Sequence, residues 1–155
     1  MEPQTQTPLA DVDAFLAHEH QQLDAILGDV EFLSARRSFA TAAKRFGEFR
    51  HLLEKHLHAE ETMLFPLFVE RTKDPQAIIP TLRAQHADLL RLVDHIAAAI
   101  SQWDHEAFFT QVDALDAALK THHLDEERLL HPALDALIRS EADWYTLCRK
   151  ADINY

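Results

Sequence analysis

An eleven-residue pattern occurs twice in this chain, with five positions identical, and restricts what it can fold into. The run His56-Leu57-His58-Ala59-Glu60-Glu61-Thr62-Met63-Leu64-Phe65-Pro66 returns sixty-six residues on as His122-His123-Leu124-Asp125-Glu126-Glu127-Arg128-Leu129-Leu130-His131-Pro132, and both read His-x-x-x-Glu-Glu-x-x-Leu-x-Pro. Four residues along an α-helix amount to about 40° of rotation and roughly 6 Å of rise, so each His shares a face with its Glu, one turn apart. Such a pair can chelate. On that face fall Phe49, Leu52, Leu53, Met63, Leu64 and Leu67 in one copy, and Leu115, Ala118, Leu119, Leu129, Leu130 and Ala133 in the other. An imidazole and a carboxylate set into an apolar stripe need partners in the interior, and a metal ion supplies them directly.

The same offset finds two more histidines. His20 maps onto His86, and each precedes the paired His of its own half by thirty-six residues. His20, His56, Glu60, His86, His122 and Glu126 thus keep one register. Nitrogen and carboxylate donors without thiolate suit iron, manganese or zinc, and two glutamates from opposing helices can each bridge a metal pair. The remaining histidines read mostly as surface residues. His123 with Glu127 repeats the internal spacing of His122 with Glu126, but it breaks the register with His56, Glu60 and Pro66. Asp24, four residues after His20, reads as a solvated acid, and His131, which replaces Phe65, as a buried neighbour of the ligands.

Two glycines in 155 residues, with apolar positions at three- and four-residue spacing, predict an all-α fold. After a tail over residues 1–7, Thr7 and Pro8 open a helix reaching about Leu33, lined by Val12, Phe15, Leu16, Leu23, Ile26, Leu27 and Val30. Ser38 caps a second helix to about Arg71. A third runs from near Pro80 to Ile100, and a fourth from Asp104, the repeat partner of Ser38, to about Arg139. Pro66 and Pro132 each remove a hydrogen bond and predict bends just past the glutamates. Residues 140–155, with Trp144, Tyr145 and Leu147, predict a short fifth helix that packs on the bundle or on a second subunit. The expectation is an up-down-up-down four-helix bundle over residues 8–139.

Composition closes off other classes. With 15 Lys and Arg against 26 Asp and Glu, the formal charge of −11 has the wrong sign for a phosphate backbone or an anionic membrane surface. The lone cysteine, Cys148, excludes an intrachain disulfide and a thiolate metal cluster. No signal peptide or membrane-spanning run is evident, so the reading is of a cytoplasmic protein.

Together these motifs resemble the hemerythrin-like family, also called the HHE cation-binding domain, from about Leu9 to Arg139. Glu19-His20 and Gln85-His86 resemble its first- and third-helix motifs, and the two His-x-x-x-Glu-Glu runs those of its second and fourth helices. The resemblance implies a non-haem di-iron centre with an oxo, hydroxo or water bridge; zinc and manganese accept the same donors. Histidine ligands would be His20, His56, His86 and His122, with bridging carboxylates from Glu60 and Glu126. Oxygen-carrying members have a fifth histidine on the third helix, where this chain has Leu90, and a His-x-x-x-x-Asp motif on the fourth. Four histidines and two glutamates are more similar to relatives linked to nitric oxide, oxidative stress and iron–sulfur repair. The leading expectation is a module that binds or senses O2, NO or a related small oxidant. An enzyme of the same fold acting on nitric oxide or peroxide, or donating iron for cluster repair, is the second, and a metal-free interaction bundle the third.

Overall fold

A computed structural model describes residues 12–71 and 78–132. Helix α1 spans Val12–Ala35 and α2 spans Phe39–Ala59; α2 continues through a π-helical turn, Glu60–Leu64, into α3, Phe65–Arg71. Helix α4 spans Ile79–Ser101 and α5 spans His105–Asp125, which passes through a second π turn at Glu126–Leu130. The result is four antiparallel rods: α1, then α2 with α3, then α4, then α5. Helix α1 packs against α2 and α5, and α4 packs against α5. The predicted tail, the start at Thr7 and Pro8, the end near Arg139, the fifth helix and Cys148 lie outside the described residues.

The duplication extends to the turns. Arg37 and Trp103, sixty-six residues apart, both adopt positive φ, 60° and 51°. Each ends its helix in the same way: Ser38 N–H donates to Leu33 O at 2.9 Å and Arg37 N–H to Ser34 O at 3.0 Å, while Asp104 N–H donates to Ala99 O at 2.9 Å and Trp103 N–H to Ile100 O at 3.1 Å. This pairing satisfies carbonyls that a helix C-terminus otherwise leaves open. The caps after the two turns differ. Asp104 accepts from Ala107 N–H at 3.0 Å, whereas Ser38, expected to cap, makes no side-chain cap bond.

Between these turns and the histidines the interior is filled by Leu27, Val30, Phe46, Phe49, Leu53, Val93, Ile96, Phe108, Val112 and Leu115, all buried. Phe108 meets Phe39 edge-on, with ring centres 5.1 Å apart. Such packing contributes roughly 1.5–3 kcal/mol per large apolar side chain, enough to hold the rods while their other end carries polar groups.

Both prolines follow a π turn, with one residue, Phe65 or His131, between. In an α-helix the ring of Pro66 would press on the carbonyl four residues back and leave it without a donor; a widened turn relieves that contact. Phe65 N–H donates to Glu60 O, and His131 N–H to Glu126 O, each five residues back. The widening also changes the direction in which the neighbouring side chains point. Leu64 and Phe65, and their partners Leu130 and His131, are buried, while Leu129 is 58% exposed. Leu129 therefore leaves the inward face on which plain α periodicity placed it. Leu52 is also exposed, at 38%, because it lies at the edge of its stripe.

Candidate metal centre

The six residues of the register meet at one level of the bundle, each at most 5% exposed. Donor atoms of His20, His56, Glu60 and Glu126 lie within 4.8 Å of one another, and so do those of Glu60, His86, His122 and Glu126. Two four-residue clusters thus share the two glutamates. Glu60 faces His56 Nε2 with Oε1 and His86 Nε2 at 3.4 Å with Oε2. Glu126 faces His122 Nε2 at 2.6 Å with Oε1 and His20 Nε2 at 3.1 Å with Oε2. Each carboxylate therefore offers one oxygen to each half.

The outer nitrogens decide the chemistry. His20 Nδ1 donates to Glu127 Oε1 at 3.1 Å, His56 Nδ1 to Glu19 Oε1 at 2.9 Å, His86 Nδ1 to Glu61 Oε1 at 2.8 Å, and His122 Nδ1 to Gln85 Oε1 at 2.7 Å. An imidazole whose proton is held on Nδ1 presents a bare lone pair at Nε2. Those lone pairs converge: the Nε2 atoms of His20 and His56 are 3.2 Å apart, and those of His86 and His122 are 3.1 Å apart. The four oxygens of Glu60 and Glu126 are buried and receive no hydrogen bond of normal geometry. Eight electron-rich atoms face one another, so the donor set fits a pair of cations.

Electrostatics agree. Burial opposes charge on His86, yet the contacts and charges of Glu126 and Glu60 raise its pKa to about 9. His56 is likewise raised well above its ordinary value against burial, chiefly by the Glu60 charge. Burial would raise the Glu126 carboxyl, but contacts with Glu60, His122, His131 and His20 hold it well below the usual range. This interior demands positive charge, and protons compete with metal ions to supply it.

Two residues depart from their expected places. His123 is buried, because α5 turns a second face toward α1; its ring stacks flat on His20, with centres 3.8 Å apart. Its Nδ1 lies 3.4 Å from Asp24 Oδ1, so Asp24 is half-covered and not a freely solvated acid. Glu127, the rival bridge, instead turns outward to His20 Nδ1. His131 is buried at 1% exposure beside the ligands, as expected. His18, His51, His58, His95 and His105 are exposed. Sequence reasoning missed the Nδ1 acceptors as a set. Their signal is adjacency, since each directly precedes a first- or third-helix histidine or directly follows a bridging glutamate.

Among the described residues no helix is long and apolar enough to cross a membrane. No curated protein and no solved structure matches this chain. The family model described as the hemerythrin HHE cation binding domain matches residues 11–134, an interval that contains all four rods and both clusters, and the chain belongs to that family.

Proposed function

We propose that the chain holds a non-haem di-iron centre and binds or senses a small oxidant, O2 or NO. His20 and His56 would hold one metal, His86 and His122 the other, and Glu60 and Glu126 would bridge them. One observation carries the reading: each of the four imidazoles has its Nδ1 proton committed to a neighbouring side chain, so all four Nε2 atoms are directed at the shared carboxylates as donors.

A redox-active metal pair supplies electrons and coordination positions to a small ligand. The protein contributes the surroundings. Glu19, Glu61 and Glu127 make three of the imidazoles more electron-rich, which favours the higher oxidation state of a bound metal. Phe65, Leu57, Leu64 and Leu130 are buried, and they keep the interior apolar enough for an uncharged diatomic molecule to enter it.

Anaerobic loading with ferrous iron, then elemental analysis and a visible spectrum before and after O2, NO or azide, tests the proposal. Two irons per chain and a spectrum that shifts reversibly with ligand are expected. Failure to retain stoichiometric metal would overturn it, and steady consumption of the oxidant would replace binding with turnover.

A further inference from the structure

We propose that His131 is a fifth protein ligand, at the metal position formed by His20 and His56. The inference rests on the di-metal reading above and deepens it, because it makes the two positions unequal in a chain whose six-residue register makes them equal.

The π turn is the reason His131 can reach. In a continuous α-helix, residue 131 would lie about 140° around the axis from residue 126. The bond from His131 N–H to Glu126 O, five residues back, instead stacks the two side chains on one face. His131 is buried at 1% exposure, and its Nε2 lies 3.7 Å from Glu126 Oε2. That oxygen is the one facing His20 Nε2 at 3.1 Å, on the His20 and His56 side of the bridge. Donors about 2.1 Å from one ion are roughly 3 Å apart when adjacent and about 4 Å apart when opposite, and the His131 spacing falls between these limits.

Among the described residues the other half has no equivalent. Phe65 occupies the same place after the other π turn, and its ring stacks on His86 with centres 5.2 Å apart. Leu90, on the third rod, is 38% exposed and offers no donor. His123 is near but aimed elsewhere: it lies flat against the His20 ring and turns Nδ1 to Asp24. Of the imidazoles outside the register, His131 is the one whose nitrogen approaches a bridging oxygen.

Anaerobic titration with cobalt(II), monitored by absorbance and by elemental analysis, tests this. Wild type should bind two ions per chain. His131→Phe, which installs the residue of the other half, should weaken one binding step by at least about tenfold and leave the other unchanged. Loss of a ligand should also intensify the visible bands of that cobalt. His131→Gln keeps a hydrogen-bond donor for Glu126 but removes the imidazole, so ligation predicts the same loss as in the Phe variant. Mere hydrogen-bond support predicts wild-type binding instead. Two unchanged steps in either folded variant, or equal weakening of both steps with unaltered spectra, would overturn the inference and leave the di-metal reading intact. A wild type that fails to bind two ions would overturn both.

Discussion

His122 donates from Nδ1 to the Oε1 of Gln85 at 2.7 Å. At the equivalent place in the other half, His56 donates to a carboxylate, Glu19, at 2.9 Å. The difference arises from the next contact outward. Gln85 Nε2 donates to Asp125 Oδ2 at 2.7 Å, and a carboxamide can accept from the imidazole while donating to the acid. The residue matching Asp125 in the first half is Ala59, so Glu19 meets no such acid there. Gln85→Glu should therefore set two carboxylates against each other and cost about 2 kcal/mol of stability, the size of a lost hydrogen bond to a charged group. Adding Asp125→Ala should restore most of it. Urea unfolding of wild type, the single variant and the double variant checks this, and additive losses would show that the two residues are not coupled.

Glu60 and Glu61 are neighbours with opposite assignments. Glu60 is buried with both oxygens toward imidazole Nε2 atoms, whereas Glu61 accepts from His86 Nδ1 at 2.8 Å and also pairs with Arg83 at 3.2 Å. Glu60→Ala should lose at least one of the two metals. Glu61→Ala should keep both at saturating metal, with affinity lowered by about 10–100-fold. Elemental analysis with a competition titration distinguishes these outcomes. Equal metal loss in both variants would remove Glu60 from its bridging place.

Much of the site was legible because its ligands obey a single register. A helical pair spaced by four residues, set in an apolar stripe and repeated, fixes which face of each rod meets the others, and residues 20, 56, 86 and 122 then fall at one level. What lay beyond reach depended on two things periodicity does not carry. A π turn changes the phase of the helix without changing the residue pattern, so Leu129 moved out and His131 moved under Glu126. Lateral packing of α5 against α1 buries a second face of α5, and so enclosed His123, which lies about 100° from His122 on the wheel. The prolines signalled a disturbance at the correct place. Their chemistry does not by itself distinguish a kink from a widened turn.

The enclosure of His123 gives a prediction with a definite sign. Burial first, and then the charges of His20 and His56, lower its pKa from 6.5 to about 2. The folded chain therefore keeps this imidazole neutral, while the unfolded chain protonates it below about 6.5. Stability from this residue is unaffected at high pH and falls as pH drops from 6.5 toward 2, because the unfolded state then binds the extra proton. Between pH 7 and pH 5 the metal-free protein should lose about 2 kcal/mol through this group alone. His123→Leu, which installs the residue found at Leu57, should flatten that part of the curve and still permit loading with two metals, whereas His122→Ala should lose at least one. Urea unfolding at several pH values compares the curves. Parallel curves for wild type and His123→Leu would mean that the imidazole takes up its proton in the folded state, against the stacking on His20 that encloses it.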